Sequence, residues 1–168
     1  MHIETEHLYL RPMIMRDVDD LVALHADPEV SRYLRPFDHD EALERLRRDD
    51  SDWREYGHGL LALLASDDGR FLGRVGLKYW PQFDEAEVGW VLRREEWGHG
   101  YATEAARACA DWGFREFGYP YLTAMISAEN ARSIRVAERL GMSRLRDDVL
   151  FDLPVVVHCV DRATFCDS

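Results

Sequence analysis

Glu87-Val88-Gly89-Trp90-Val91-Leu92 leads through residues 93–97 into Gly98-His99-Gly100-Tyr101-Ala102-Thr103-Glu104-Ala105. The first part is β-type, with Glu85, Glu87, Gly89 and Val91 on one face and Ala86, Val88, Trp90 and Leu92 on the other. From residue 98 to 117 the period changes. Ala102, Ala105, Ala106, Cys109, Trp112 and Gly113 recur at helical spacing, and this is the longest helix the sequence predicts. A strand therefore turns through glycines into a helix. First-turn amides have no intrahelical partner and the helix dipole favours negative charge, so such a mouth accepts a phosphate without Lys or Arg. Taken alone, Gly98 and Gly100 read equally well as a tight turn.

Two phosphate-binding patterns can be compared letter by letter. A P-loop needs Gly-Lys-Ser/Thr, but Gly100 is followed by Tyr101-Ala102. The dinucleotide fingerprint comes nearer, as Gly98-x-Gly100-x-x-Thr103, with Thr103 at the third glycine position. The next strand, 121–127, has no acidic residue at its tip to hold a ribose, which disfavours that reading.

Working outward, residues 6–13 read as an opening strand, and an acidic helix start at Asp17 precedes Val18, Leu21, Val22 and Leu24. Residues 40–56 form a charged helix with a buried stripe of Ala42, Leu43, Leu46 and Trp53. Leu60–Ala65 and 71–79 are strands joined by Ser66-Asp67-Asp68-Gly69, a hairpin signal. A short helix over 131–140 stops at Gly141, and the β-branched run 155–160 closes the chain.

With 168 residues, no repeat and no Gly/Ser linker, the expectation is one domain over residues 1–168. The longest apolar runs are far shorter than the roughly 20 residues that span a bilayer, and the acidic amino terminus is unlike a secretory signal. We expect a cytoplasmic protein with no membrane partner. A formal charge of −11 disfavours nucleic-acid backbone binding and suits cationic partners better, although an acidic surface also serves solubility. Cys109, Cys159 and Cys166 are odd in number and widely spaced, which fits neither a disulfide framework nor a zinc site. No metal is expected.

The segment from Trp97 to Ala105 resembles the CoA-pyrophosphate motif of GNAT acetyltransferases, in particular the RimJ/RimL-like branch. Leu8-Tyr9-Leu10-Arg11-Pro12 is similar to that branch's opening strand. Asn130-Ala131-Arg132-Ser133 through Arg139-Leu140-Gly141-Met142 is similar to its Asn-x-x-Ser helix. The resemblance implies an α/β (α+β) fold: a mixed, mostly antiparallel splayed sheet with helices on both faces and acetyl-CoA wedged in the opening. It further implies that the amides of Trp97, Gly98, His99, Gly100, Tyr101 and Ala102 hold the pyrophosphate. The backbone at Trp90 and Leu92 would pair with pantetheine, and Asn130 and Ser133 would face the pantetheine and thioester. The broader superfamily often has Gln or Arg three residues before the first glycine; here it is Glu95, so only a main-chain role carries over.

The implied activity is acetyl transfer from acetyl-CoA to a primary amine: a peptide or protein N-terminus, a polyamine or a small molecule. The alternative is a catalytically silent acyl-CoA sensor or interaction module on the same fold, as monomer or homodimer. Ser133 is the candidate donor to the leaving thiolate. Glu87 is the candidate base, provided its face lines the acetyl site, where burial would raise its pKa. Asn130 reads alternatively as a helix N-cap. His158 stands where RimJ/RimL-like sequences commonly have Tyr, so acceptor-side and structural roles are both open. Arg132 and Arg135 could meet the nucleotide's phosphates but read more readily as helix surface, and Tyr79, Trp80, Phe83 and Trp90 could wall the acceptor groove but read more readily as packing aromatics.

Overall fold

The computed structural model describes residues 1–166. Its strands are β1 (Ile3–Glu4), β2 (Leu8–Pro12), β3 (Leu60–Ala65), β4 (Phe71–Trp80), β5 (Glu85–Leu92), β6 (Tyr121–Ile126), β7 (Ser143–Leu150) and β8 (Leu153–Asp161). Its α-helices are α1 (Val18–Ala26), α2 (His39–Tyr56), α3 (Tyr101–Phe117), α4 (Ala131–Arg139) and α5 (Arg162–Cys166). The strands form one sheet in the order β1-β2-β3-β4-β5-β6-β8-β7. Among the described residues only the β5–β6 pair is parallel.

β3 is apolar throughout because both of its faces are covered. Leu61 and Leu63 pack in the core with Ala105, Ala106, Cys109, Ala110 and Phe114 of α3. Leu60 and Ala62 point the other way, into a second core with Leu21 of α1 and with Ala42 and Leu46 of α2. Helices therefore lie on both faces, as expected. The small residues of α3 bring it close to the sheet: a Cβ on Gly113 would stand 2.8 Å from a Leu77 methyl. α2 opens with a reciprocal cap, in which Asp38 Oδ1 accepts from Glu41 N (2.9 Å) and Glu41 Oε2 accepts from Asp38 N (3.0 Å).

The feature that positions the site is a parting of strands. β5 and β6 share a single register pair, Glu87 with Thr123. Beyond it β5 continues to Leu92 and β6 to Ile126, and the ladder between them ends. The expected splay is thus present.

Several boundaries differ from the sequence reading. The opening strand is Leu8–Pro12, with β1 added at the edge. The helix expected from residue 98 begins at Tyr101, because Gly100 is a left-handed N-cap. Asp17 is the N-cap of α1, the helix start expected, but its carboxylate does not cap the helix. Buried, it takes Arg11 in a two-pronged ion pair (2.7 and 2.8 Å) and also accepts from Ile14 N. β7 was not anticipated, since Ser143-Arg144-Leu145-Arg146-Asp147-Asp148 is polar on both faces; it is an edge strand held through β8. Arg146 anchors it by reaching the buried Glu85 of β5 with both Nη atoms, each at 2.8 Å.

Candidate active site

The opening between β5 and β6 is a groove of about 1750 Å³. At one end is the mouth of α3. Gly98 and Gly100 both have φ of +86°, and a Cβ on either would meet no heavy atom within 4 Å. The left-handed turn thus leaves open space in front of the first-turn amides, as close approach of a phosphate requires. The first amide to find a helical acceptor is that of Glu104, on Gly100 O (3.0 Å). This cradle suits a pyrophosphate.

The predicted phosphate residues do not all stand alike. Gly98, Gly100, Tyr101 and Ala102 line the groove. Trp97 lines it too, but its amide is already spent on Arg94 O (3.2 Å) and its indole donates to Leu92 O (3.1 Å). His99 is exposed and stacks on Tyr101 with centroids 5.6 Å apart. Arg132, for which the sequence leaves a phosphate contact open beside the favoured surface reading, sits over the Trp97 ring at 4.1 Å and lines the groove. That contact depends on a cation–π pair between separate segments, which local spacing does not reveal.

Glu87 lies in the groove wall, on the sheet face that carries α1 and α2. Its Oε2 accepts from Trp80 Nε1 (2.7 Å) and its Oε1 from Met125 N (3.3 Å). Burial raises its pKa, while these two donors and the charges of Lys78 and Arg45 oppose the rise. Trp80, read from sequence as packing, is thus also a polar partner of Glu87.

Asn130 caps α4, its Oδ1 accepting from Ser133 N (3.2 Å). The Ser133 hydroxyl has no protein partner among the described residues, and the half-buried side chain lines the groove with Asn130, Trp90 and Leu92. His158 is buried, pairs in register with Ala124, and is absent from the groove lining; its Nδ1 has no hydrogen-bond partner.

Sequence reasoning missed a cluster on the α1–α2 side of the groove: His25, Arg45, Asp49, Arg74 and Lys78. Arg74 and Lys78 stand opposite Val91 and Glu87 across the β4–β5 ladder. A signal was present in β4, where an arginine interrupts Phe71-Leu72-Gly73-Arg74-Val75-Gly76 in mid-strand. Asp49 Oδ1 accepts from Leu60 N (2.6 Å), and burial raises the Asp49 pKa to about 6. Burial also holds His25 neutral, its pKa lowered to about 3.

A mostly antiparallel sheet that parts beside a glycine-turned helix mouth is the architecture of a CoA-dependent acyltransferase. The acetyltransferase (GNAT) domain matches residues 7–143, and the chain belongs to the GNAT acetyltransferase family. It is 36% identical over 164 residues to the uncharacterised protein YkkB of Bacillus subtilis (strain 168), covering 92% of each chain. It is 30% identical to the uncharacterised N-acetyltransferase p20 of Bacillus licheniformis, covering 85% of this chain and 84% of that one. Among solved structures, the acetyltransferase from Agrobacterium tumefaciens str. C58 superposes with a TM-score of 0.84 at 31% identity, over 96% of this chain and 95% of that one. No helix among the described residues is long and apolar enough to cross a membrane, and no three or more of their His, Cys, Asp and Glu side chains cluster as metal ligands would.

Proposed function

We propose that the chain is an acetyl-CoA-dependent N-acetyltransferase of the RimJ/RimL-like branch, a single cytoplasmic domain that acetylates a primary amine. The observation that carries this reading is that one groove contains the glycine cradle at Gly98 and Gly100, the unpartnered Ser133 hydroxyl and the desolvated Glu87 carboxyl. The relative named as an N-acetyltransferase points the same way.

Acetyl-CoA supplies an activated acyl group whose C–S bond breaks as the C–N bond forms. The amides of Gly98 to Ala102 bind the pyrophosphate, and the β5 edge at Trp90 and Leu92 aligns the pantetheine arm. Glu87, directly or through water, takes the proton that the ammonium must lose before nitrogen can attack. Its raised pKa brings it nearer to working pH and makes it a better base. Ser133 donates a hydrogen bond to the departing sulfur, while Asn130 fixes the helix start that presents Ser133.

One observation favours the silent acyl-CoA sensor instead: both Glu87 oxygens already have protein donors. Calorimetric titration with acetyl-CoA, followed by a mass-shift screen against peptides, polyamines and small amines, separates the readings. Binding with an acetylated product supports the enzyme. Binding with no product from any amine supports the sensor, and absence of CoA binding overturns both.

A further inference from the structure

We infer that the acceptor is a small amine whose far end carries an oxyanion, a carboxylate or a phosphate, which Arg45 of α2 and Arg74 of β4 receive. This rests on the N-acetyltransferase reading and names the acceptor class for the same groove.

The sheet register lays out the site. On the face toward α1 and α2, Arg74, Gly76 and Lys78 of β4 stand opposite Val91, Gly89 and Glu87 of β5. A Cβ on Gly89 would meet nothing within 4 Å, so the sheet is hollow between the carboxyl of Glu87 and the guanidinium of Arg74. Arg45 reaches the same groove from α2, one helical turn from the buried Ala42 and Asp49.

Both guanidiniums are available. Arg74 Nε points to Nε2 of the neutral His25 (3.4 Å), and neither Nη of Arg74 has a hydrogen-bond partner among the described residues. Arg45 makes no hydrogen bond and no ion pair there either. The nearby carboxylates are engaged elsewhere or lie outside ion-pair reach. Glu87 is held by Trp80 and Met125, Asp52 pairs with Lys78 (3.8 Å), and Asp49 accepts from Leu60 N through Oδ1, while its buried Oδ2 has no hydrogen-bond partner and acts on Arg45 only from beyond ion-pair distance.

Asp49 and Glu87 act on both arginines only from beyond ion-pair distance, so two desolvated guanidiniums keep unpaired N–H donors, an unfavourable arrangement unless a ligand completes it. The strain has an electrostatic trace. Burial, and next the charge of Arg45, lower the Arg74 pKa to about 9, which still leaves it cationic at neutral pH. A guanidinium tethered through Nε offers its two Nη atoms as a fork, the geometry that fits a carboxylate or phosphate. Arg74 and Glu87 lie on one sheet face, two of its register pairs apart, with the side-chain-free Gly76 and Gly89 between them, so one short molecule can span both. Its amine would meet Glu87 and its oxyanion the arginines. A polyamine would place a second cation on Arg45 and Arg74, so the groove selects against the partner that the overall negative charge favours.

The test compares kcat/KM for amino acids, aminoalkyl phosphates, amino alcohols and diamines matched in chain length. Wild type is expected to prefer the oxyanion-bearing amines over their neutral counterparts by about 10²-fold. The first two arms tell carboxylate from phosphate. Arg74→Gln and, separately, Arg45→Gln should cut that preference by about 10-fold or more through the acceptor KM, leaving the acetyl-CoA KM in place. Arg74→Lys should retain part of it, which guards against misfolding as the cause. A wild-type ratio near one, a preference for diamines, or an arginine effect on the acetyl-CoA KM alone overturns the inference. If no amine is turned over, the N-acetyltransferase reading fails separately. Calorimetry of the CoA complex with the same amino acids and phosphates then decides the subsite: binding lost in Arg74→Gln sustains it, and no binding to wild type overturns it.

Discussion

Trp80 ends β4 two residues beyond Lys78, and its indole N–H donates to Glu87 Oε2 at 2.7 Å. A hydrogen bond to the ionised carboxylate lowers its pKa, so this indole opposes the burial that raises it. Trp80→Phe should therefore let the Glu87 pKa climb further. The acid limb of the kcat/KM profile is expected to move up by roughly 0.5–1 pH unit. Glu87→Gln should abolish that limb and cost about 10²-fold or more in kcat with an ε-amine or polyamine acceptor. With an α-amine, neutral in about one molecule in ten at pH 7, the loss should be smaller. An unchanged pH profile in both variants would remove Glu87 from the proton path.

At the helix mouth, Gly100→Glu is expected to abolish binding of CoA. The substitution puts a carboxylate where the pyrophosphate belongs, and it forces a side chain onto a backbone with φ of +86°. The second effect costs about 1–2 kcal/mol, which lowers Tm by only a few degrees in a chain of this size. Calorimetry and thermal melting together separate the two effects. Undiminished CoA affinity in a folded variant would move the phosphate site away from Gly100.

Asp49 makes a pH prediction about stability. Its folded pKa of about 6 lies above the ordinary aspartate value of 3.8, so the folded state holds the proton more tightly than the unfolded chain. Its contribution is fully present below about pH 4 and is lost as pH rises through about 6. Asp49→Asn, whose amide oxygen can still accept from Leu60 N, lacks this loss. Relative to wild type it should gain roughly 2–2.5 kcal/mol between pH 4 and pH 7. His25 acts in the opposite sense, eroding stability as pH falls below about 6.5, but it is present in both chains and cancels. Urea unfolding at both pH values checks the difference, and parallel curves would refute the buried charge.

These sites differ in how far they could be read from sequence. The glycine turn, the splayed sheet and α4 are local patterns or parts of a family motif, and Leu60–Ala65 and Glu85–Leu92 were bounded as observed. β7 was illegible because its alternation carries no apolar face. Arg45 and Arg74 are far apart in sequence and meet only through the packing of α2 on the sheet, so no spacing rule joins them. Asn130 has a double nature: its cap to Ser133 N is what local propensity predicts, and it is also what aims α4 at the groove. The −11 charge points toward cationic partners, whereas the α1–α2 side of the groove holds Arg45 and Arg74, neither in an ion pair among the described residues. Net charge describes the surface and not the site.

Ser133→Ala tests the leaving-group step. The Ser133 side chain lies in the first turn of α4, half-buried in the groove wall, and its hydroxyl has no protein partner among the described residues. A donor so placed can serve a thiolate that develops beside it. A thiol with pKa near 8.5 already leaves tolerably as thiolate at neutral pH, so a hydrogen bond suffices and full proton transfer adds little. The loss should therefore be moderate: kcat is expected to fall by roughly 10- to 10²-fold. Because the bond strengthens mainly as charge builds on sulfur, acetyl-CoA affinity should hardly change. The fold should also persist, since the capping bond to Asn130 uses the Ser133 main-chain N–H, which alanine keeps. Steady-state kinetics with calorimetry of acetyl-CoA measure the split. If kcat holds and only the acetyl-CoA KM rises, the hydroxyl binds the thioester in its ground state and has no part in its departure.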